Sequence, residues 1–405
     1  MKSFDIPIIY RSPLISTIKN RRKQQDKMKK DFTPTLLDPG GVQFYLARHF
    51  GFCYGVENAI EISFRTIEEN PGRRIFLLSE MIHNPQVNAD LLSRGVQFLQ
   101  DTQGQQLVPF ETLTAEDIVI IPAFGTTLEI EQRLQEIGIK TEKYNTTCPF
   151  VEKVWNRSAE IAEKDYTIIV HGKPGHEETR ATFSHAAAET PTVVVKDMAQ
   201  AKVLAGYIRG ELPVESFPIV FKGQYSPGFD VERDLLKIGV VNQTTMLASD
   251  TQAIADYLKQ TMAELYGAEA VEQHFADTRD TLCYATLDNQ NAIFGLLETP
   301  ADLAIVVGGY NSSNTSHLVE LCEEKLPTYF VSSEEKLLSQ QEILHYNFHT
   351  KEELHTTGWL PNRAPVRILV SSGASCPDAL VEAVIRKIAG YYEAEERLES
   401  NLGIR

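Results

Sequence analysis

One pattern occurs three times along this chain and constrains its fold more than any other feature. Each copy begins with a cysteine, continues through a helix-like stretch into an apolar strand, and reaches a polar loop. The three cysteines are Cys53, Cys148 and Cys283. The polar loops His83-Asn84-Pro85, His176-Glu177-Glu178-Thr179 and Asn311-Ser312-Ser313-Asn314 begin 30, 28 and 28 residues after them. Three thiols at one repeated position predict a single shared site on a pseudo-threefold axis.

The repeat continues beyond each polar loop. Apolar strands are predicted at Arg74–Leu78, Tyr166–Val170 and Leu303–Val307, and each following polar loop leads into a helical stretch. Short strands follow at Val96–Leu99, Thr192–Val195 and Thr328–Val331, with closing strands at Ile118–Ile121, Gly239–Val241 and Val366–Val370. Strands that alternate with helices predict parallel α/β layers, which place ligand-binding groups at the carboxyl ends of their strands.

The domain boundaries follow from this repeat. We predict an N-terminal extension over residues 1–42 and three α/β modules over 43–146, 147–277 and 278–405. The third module should end in a helix over Pro377–Leu398. Insertions around Met198–Asp234 and Glu334–Trp359 are predicted to form peripheral helices and loops.

Composition excludes several classes of protein. With 405 residues and 42% hydrophobic content, the chain can build two or three real cores. No apolar run reaches transmembrane length, so we expect no membrane association. The net charge of −16 argues against a nucleic-acid partner.

The compartment is predicted from the cysteines and the N-terminus. Five cysteines without close pairs do not form a disulfide framework and fit a reducing compartment. The stretch from Lys19 to Lys30 is basic and is interpreted as a solvated tail or helix. A plastid transit peptide would be poorer in acidic residues and richer in serine. We therefore expect a cytoplasmic protein rather than one of the plastid stroma.

Three converging thiols can bind several kinds of metal centre. Structural zinc sites use close cysteine pairs and four ligands, whereas 95 and 135 residues separate the successive repeat cysteines. A catalytic zinc held by three thiolates is an alternative. An iron–sulfur cluster fits better, because one iron then lacks a protein thiolate and can act as a Lewis acid on a substrate oxygen.

The competing interpretation is that these cysteines are small buried hydrophobic residues, as free cysteines usually are. The threefold positional match argues against it for the set. Cys322 lies in an apolar helical stretch and is interpreted as core packing. Cys376 follows the loop residue Ser375 but has no counterpart in the other modules, so we leave it outside the site.

The polar loops supply hydrogen-bond donors without any Lys or Arg. His83 and His176 occupy equivalent loop positions. Other donors in equivalent or neighbouring loops are Thr244, Ser312, Asn314 and Ser375. Such a ring can hold phosphate oxygens, especially if the histidines are protonated.

Two adjacent carboxylates, Glu177 and Glu178, lie in the second polar loop. Acidic residues at the start of a helix are stabilised by the macrodipole, which is one interpretation of the pair. Beside a metal cluster and a polar pocket, one of them becomes the natural proton donor. The local sequence leaves open which one faces the site.

Together these motifs resemble the 4-hydroxy-3-methylbut-2-enyl diphosphate reductase family, the last enzyme of the methylerythritol phosphate route to isoprenoids. The resemblance covers roughly residues 44–390. The matching motifs are Gly51-Phe52-Cys53-Tyr54-Gly55-Val56, His83-Asn84-Pro85, Thr147-Cys148-Pro149, Gly175-His176-Glu177-Glu178, Gln243-Thr244-Thr245, Cys283-Tyr284-Ala285-Thr286, Asn311-Ser312-Ser313-Asn314 and Gly373-Ala374-Ser375. Each motif alone is weak, but eight in order are specific.

The resemblance implies an α/β fold whose three similar modules form a pseudo-threefold trefoil around a central [4Fe–4S] cluster, one per chain. Cys53, Cys148 and Cys283 would bind this cluster, and the iron not bound by cysteine would take the substrate hydroxyl. The diphosphate would be held by His83, His176, Ser312, Ser313, Asn314 and Ser375. The family's acid follows the histidine by two residues, which selects Glu178 as proton donor. Thr244 would bind the hydroxyl and order the proton path.

The implied reaction is reductive loss of water, with two electrons and two protons, to give isopentenyl and dimethylallyl diphosphates. The long N-terminus and the insertions resemble the larger cyanobacterial and plastid form, which suggests ferredoxin or a similar electron donor. One position departs from the family. Many members carry a second diphosphate-facing histidine where this chain has Phe124. Either Thr126 or Thr127 compensates, or the diphosphate is held differently.

Two other functions are alternatives for a chain with three repeat cysteines. Quinolinate synthase also has three modules and a three-cysteine cluster, but the loops at His176–Glu178 and Asn311–Asn314 do not suggest its substrates. A cluster-based electron carrier would usually complete its cluster with a fourth thiolate, and a nucleic-acid regulator should show a basic face.

Overall fold

The computed structural model of the chain describes residues 4–276 and 281–400. Its strands are β1 (Thr35–Leu37), β2 (Val42–Leu46), β3 (Ile75–Leu77), β4 (Gln97–Phe98), β5 (Ile118–Ile120), β6 (Thr167–His171), β7 (Thr192–Val195), β8 (Ile238–Asn242), β9 (Phe275–Ala276), β10 (Leu303–Val307), β11 (Thr328–Val331), β12 (Glu342–Asn347), β13 (Glu352–Thr357) and β14 (Val366–Ser372).

The helices within the same residues are α1 (Pro13–Gln25), α2 (Tyr54–Glu69), α3 (Pro85–Ser93), α4 (Leu128–Ile137), α5 (Pro149–Ala162), α6 (Glu177–Glu189), α7 (Met198–Ile208), α8 (Phe217–Val220), α9 (Val231–Asp234), α10 (Ala248–Tyr266), α11 (Val271–His274), α12 (Tyr284–Leu297), α13 (Ser313–Glu323), α14 (Asp378–Gly390) and α15 (Arg397–Ser400). Among these described helices, none combines the length and the apolar character needed to cross a bilayer.

The strands form three mainly parallel sheets and one hairpin. The sheet orders are β4-β3-β5, β7-β6-β8-β9 and β1-β2-β14-β10-β11, and β12 pairs with β13. Neighbours in the three larger sheets are parallel except for β1 and β2. In each sheet the first strand of the repeat (β3, β6 or β10) lies between the short strand and the closing strand. The predicted α/β class with parallel sheets is confirmed.

The chain divides into two compact units, and the first comprises residues 4–57, 82–89 and 284–400 of the described chain. In its five-stranded sheet, strand β10 lies between β14 and β11 and is buried along its whole length, as expected where both faces of a parallel sheet are covered. Strand β2 lies within the predicted first module by sequence, yet it pairs with β14 of the third, with Val42 opposite Val366. The module boundaries themselves stay a prediction.

The second unit comprises residues 58–81, 90–276 and 281–283 of the described chain and contains the other two parallel sheets. One core surrounds Phe76, Val119 and Leu134 beside β3 and β5. Another surrounds Ile169 and Val240 beside β6 and β8. Strands β6 and β8 are buried throughout. Polar side chains that bind a ligand are therefore expected in the loops at the ends of these strands.

The basic N-terminal run forms part of a helix in the first unit. Ser12 caps α1, because its hydroxyl accepts a 2.8 Å hydrogen bond from the Ile15 backbone N–H. Leu14, Ile15 and Ile18 are buried. The basic run is interpreted from sequence as a solvated tail or helix, and it is helical as far as Gln25. This helix is not fully solvated, because one of its faces is buried.

Two predictions at the periphery are wrong in part. The insertion around Glu334–Trp359 contains the antiparallel hairpin β12-β13 rather than α-helices. Strand β12 is mostly half-buried, β13 is mostly exposed, and Lys351 in the turn between them has a φ of 60°. The C-terminal helix ends at Gly390 instead of reaching Leu398. Glu393 has a φ of 52°, which is incompatible with a continuing helix. The insertion around Met198–Asp234 is helical as predicted, in α7, α8 and α9.

Candidate active site

Each of the three repeat cysteines immediately precedes a helix. Cys53 precedes α2, Cys148 is the N-cap residue of α5, and Cys283 precedes α12. Burial raises the pKa of the Cys53 thiol, and the backbone N–H groups of Val56 and Gly55, which donate to its sulfur, offset this only in part. Helix amino ends favour a thiolate through their free N–H groups. Cys283 is buried, and Cys53 and Cys148 are partly buried. Thiols in such positions suit the ligands of a metal cluster.

The other two cysteines have different surroundings. Cys322 lies within α13, is completely buried, and has a pKa that burial raises to about 12. This agrees with the core-packing interpretation. Cys376 is also completely buried, its thiol lies 3.6 Å from the Pro377 carbonyl, and burial raises its pKa. Neither stands directly before the first residue of a helix.

In the second unit, the ends of β6 and β8 lie side by side, with His171 opposite Asn242. Gln243, the next residue after β8, connects the two following loops. Its amide oxygen accepts hydrogen bonds from the Lys173 backbone N–H (3.1 Å) and the Thr179 hydroxyl (3.0 Å). A Cβ at Gly172 would lie 2.6 Å from the Thr179 hydroxyl oxygen. The close approach of these loops therefore requires glycine there.

Glu178 faces the loop that follows β8. Its Oε1 accepts a 2.5 Å hydrogen bond from the Thr244 backbone N–H, and the residue is only 2% exposed. The Thr244 carbonyl in turn accepts a 3.3 Å hydrogen bond from the Cys283 backbone N–H. Glu177 instead accepts a short hydrogen bond from the Ser79 hydroxyl, just beyond β3. The structure thus separates the two carboxylates that the local sequence left equivalent.

His176 is the N-cap residue of α6. Its Nδ1 accepts a 3.2 Å hydrogen bond from the Glu178 backbone N–H. In the neutral imidazole the proton is therefore on Nε2, which makes that nitrogen a donor. The Phe124 and His176 rings pack in a T-shaped arrangement, with 5.6 Å between centroids. Phe124 thus orients the histidine ring, and its loop is tied to Cys148 by a 3.0 Å hydrogen bond from the Cys148 N–H to the Ala123 carbonyl.

In the first unit, the ends of β10 and β14 are also adjacent, with Val307 opposite Ser372. Thr315, at the start of α13, packs between the two loops that follow these strands. A Cβ at Gly373 would overlap its hydroxyl oxygen, and one at Gly308 would lie 2.7 Å from it. Thr315 is not among the predicted site residues. The sequence feature that could have indicated this contact is the presence of small residues in both loops, at Gly308-Gly309 and Gly373-Ala374. Small residues leave room for a side chain between the two loops.

The hydroxyls and amides of these loops form one network. The Ser375 hydroxyl lies 3.1 Å from the His83 carbonyl and 3.5 Å from the Ser312 hydroxyl. The Asn314 Oδ1 accepts a 2.9 Å hydrogen bond from the Ala374 backbone N–H. The neighbouring Cys53 is attached to the same loop, because its N–H donates to the Ala374 carbonyl at 3.1 Å.

Two buried donors in this network have no partner within the described residues: the Ser313 hydroxyl and the Asn314 Nδ2 amide. Both stand in the first turn of α13, whose backbone N–H groups also lack helical partners. A buried donor without an acceptor is costly. The amino end of α13 is therefore suited to an anion with several oxygens.

The predicted site residues fall into two sets. The first unit brings together Cys53, His83, Ser312, Ser313, Asn314 and Ser375; the second brings together Cys148, His176, Glu178, Thr244 and Cys283. Within the described chain, no three or more His, Cys, Asp or Glu side chains are already gathered as a metal site. Convergence of the three thiols on one centre stays a prediction.

The parallel sheets define an α/β protein, and the polar loops and buried acid at the carboxyl ends of its strands lie where such folds place their ligand-binding sites. A sequence profile described as LytB protein matches residues 44–389. A relative from Cyanothece sp., named 4-hydroxy-3-methylbut-2-enyl diphosphate reductase, is 40% identical over 86% of this chain and 84% of its own length. A relative of the same name from Picosynechococcus sp. is 41% identical over 87% of this chain and 85% of its own length. The chain belongs to the LytB family.

Solved structures support the fold. The E-1-hydroxy-2-methyl-but-2-enyl-4-diphosphate reductase of Plasmodium falciparum aligns with a TM-score of 0.62 at 22% identity, over 85% of this chain and 87% of its own. An (E)-4-hydroxy-3-methyl-but-2-enyl diphosphate reductase aligns with a TM-score of 0.51 at 24% identity, over 85% and 98%. The family resemblance drawn from eight motifs is confirmed.

Proposed function

We propose that this chain reduces 4-hydroxy-3-methylbut-2-enyl diphosphate to isopentenyl and dimethylallyl diphosphates, the last step of the methylerythritol phosphate pathway. The observation that carries the proposal is the family match over residues 44–389, which spans all three thiols and all the polar loops. Relatives about 40% identical over most of both chains bear the name of this enzyme.

We assign one [4Fe–4S] cluster to Cys53, Cys148 and Cys283, with one iron not bound by cysteine. The donor set supports this assignment, since three thiols precede helix starts and no fourth shares the repeat position. When bound, the cluster would supply one-electron transfers and a Lewis-acidic iron. The three modules would surround it as a pseudo-threefold trefoil.

The diphosphate would bind at the amino end of α13. Ser313 and Asn314 offer the two buried donors described above, and Ser312 and Ser375 line the same loops. His83 would contribute from its adjacent loop, and His176 would donate from Nε2 while Nδ1 caps α6. Charge on the phosphate oxygens strengthens each of these hydrogen bonds.

Glu178 would supply protons. The C–O bond to the substrate hydroxyl breaks, the oxygen leaves as water with one added proton, and the allylic product takes up two electrons and the second proton. Because Glu178 Oε1 accepts the Thr244 N–H, a proton on Oε2 leaves that bond intact. Thr244 would place its hydroxyl beside the substrate oxygen and the acid.

The test is turnover by anaerobically purified, iron-loaded protein with a reduced viologen as electron donor. We expect mass spectrometry to show both five-carbon diphosphates formed from the allylic alcohol. Protein with a full iron complement that leaves the substrate unchanged would overturn the proposal. Reduced ferredoxin in place of the dye would test the physiological type of donor.

A further inference from the structure

A mixed apolar and basic face borders the start of α12 in the first unit. Helix α12 exposes Tyr284 (38%), Leu287 (37%) and Phe294 (51%). Their spacing of three and seven residues puts them on one stripe of the helix. Single exposed apolar residues are ordinary, whereas three large ones aligned on one helix face indicate a contact surface.

The basic part of the face comes from the segment after α1, which lies along α12. The Lys29 ammonium is 5.9 Å from the Tyr284 ring centre. Further along, a Cβ at Gly295 would overlap the Phe32 carbonyl. The segment therefore follows the helix from its first turn to its last, and the exposed Lys27 and Lys30 flank the lysine that contacts Tyr284.

The end of α1 and the segment that follows it, residues 19–31, carry a charge opposite to that of the whole chain. Residues 19–31 contain seven Lys and Arg but two Asp, whereas the whole chain has a net charge of −16. Both acids are paired, Asp31 with Arg22 at 3.0 Å and Asp26 with Arg48 at 3.7 Å. Lys23, Lys27 and Lys30 are exposed, so the segment presents local positive charge on an acidic protein.

We propose that this docking face, formed by Lys23, Lys27, Lys30, Tyr284, Leu287 and Phe294, receives a small acidic electron-carrier protein. The inference rests on the proposed function, in which each turnover consumes two electrons. A one-electron carrier supplies them in two encounters, and two carrier molecules are oxidised. Tyr284 directly follows Cys283, a proposed cluster ligand, so a carrier bound here lies next to a residue of the electron-accepting centre.

Charge complementarity selects this kind of partner. A strongly acidic molecule repels an acidic carrier over most of its surface, and a local basic patch orients the encounter. Apolar residues with charges around them are typical of interfaces that form and separate quickly. A second copy of this chain is the other candidate occupant, and the test distinguishes it.

The experiment compares two donors and two matched variants of the iron-loaded protein. The first variant combines Lys23→Glu, Lys27→Glu and Lys30→Glu. The control combines Lys140→Glu, Lys222→Glu and Lys259→Glu, which are exposed residues of the second unit and give the same change in net charge. Turnover is measured with reduced ferredoxin, an acidic carrier, and with a reduced viologen, which needs no docking face.

At low ionic strength, we expect the first variant to raise the KM for ferredoxin roughly tenfold, because rim charges govern encounter rates. The control should change it by no more than about twofold, and turnover with viologen should stay the same in both. Added salt should weaken ferredoxin use by the unaltered protein but hardly affect the first variant. Phe294→Ser removes one exposed ring and should also raise the KM for ferredoxin. This variant tests the docking face if the triple variant does not fold.

An unchanged ferredoxin KM in both the triple variant and Phe294→Ser would overturn the docking face alone. Absence of turnover with viologen in the unaltered protein would instead count against the proposed function. If sedimentation shows a dimer that the triple variant disrupts while the ferredoxin KM is unchanged, the face joins two copies of this chain and the carrier proposal is wrong.

Discussion

The backbone N–H of Thr244 donates a 2.5 Å hydrogen bond to Oε1 of Glu178. This bond joins the loops that follow β8 and β6, whose final residues, Asn242 and His171, are paired across the sheet. A backbone donor cannot rotate away, so the carboxyl is held in one orientation next to the Thr244 loop. The neighbouring Glu177 is bound to Ser79.

Replacing the acid while keeping its shape tests its role. Glu178→Gln retains an amide oxygen that can accept the Thr244 N–H but has no transferable acidic proton. We expect turnover with viologen to fall by roughly a hundredfold or more, as for the loss of a positioned general acid, with the iron content unchanged. Glu177→Gln is the matched control and should be much milder. Near-normal turnover in Glu178→Gln would show that Glu178 is not the proton donor and only stabilises the start of α6.

The three repeat cysteines should be individually required for the metal centre. Serine at Cys53, Cys148 or Cys283 removes one thiolate, so iron content should fall and turnover should be lost, as measured by metal analysis and assay on the same preparation. Cys322 is buried within α13, so Cys322→Ala should retain both iron content and turnover. Full iron loading and activity in Cys148→Ser would contradict the three-ligand assignment.

A substitution at Asn314 can test its buried amide donor separately from its acceptor oxygen. Asn314→Asp keeps the oxygen that accepts the Ala374 N–H but replaces the buried Nδ2 donor with negative charge. We expect the KM for substrate and the inhibition constant for pyrophosphate to rise roughly tenfold or more, since a hydrogen bond to a charged group contributes about 1.5–3 kcal/mol. Gln252→Glu, the same charge change on exposed α10, is the control. Equal pyrophosphate inhibition in both would remove Asn314 from the anion site.

The contact between Gly373 and Thr315 predicts a coupled pair. Gly373→Ala would put a methyl group onto the Thr315 hydroxyl, so we expect destabilisation of about 1–3 kcal/mol, as for overpacking. Thr315→Ala should partly rescue Gly373→Ala in a double-mutant cycle monitored by urea unfolding. Additive effects of the two substitutions would show that the overlap is relieved elsewhere.

His49 predicts a pH dependence of stability. Burial, followed by the nearby charges of Arg48 and Lys29, lowers its pKa to about 4, and its Nε2 has no hydrogen-bond partner within the described residues. The unfolded chain takes up a proton below the ordinary pKa of about 6.5, whereas folded His49 stays neutral until about pH 4. Stability associated with His49 should therefore decrease as the pH falls through this window.

His49→Phe removes the titrating group and keeps an aromatic ring beside Phe32, which is 5.9 Å from the His49 ring. The urea midpoint of the variant should fall less between pH 7 and about pH 4.5 than that of the unaltered protein. Parallel decreases in the two proteins would assign the acid sensitivity to other groups.

Predictions from sequence were most accurate where periodicity and burial act together. The strands at Leu303–Val307, Thr192–Val195 and Thr328–Val331 have the predicted bounds. The first two are fully buried, and such a parallel strand is a nearly continuous apolar run. The third is an edge strand that is buried only in its second half. The hairpin β12-β13 was missed, since a mostly exposed, polar strand such as Glu352–Thr357 has no apolar pattern.

The sequence by itself determined the repeat, the class of the fold, the family and the three thiols, because these depend on residue type and order along the chain. The local sequence left Glu177 and Glu178 equivalent, and the family resemblance favoured Glu178. Only the tertiary structure showed what each carboxylate contacts and placed Thr315 between two loops. Adjacent residues at a helix start differ by a rotation about the helix axis, and their roles depend on what the rest of the fold brings to each side. For Glu178 that is the backbone of Thr244, in the loop after β8, 66 residues away in sequence.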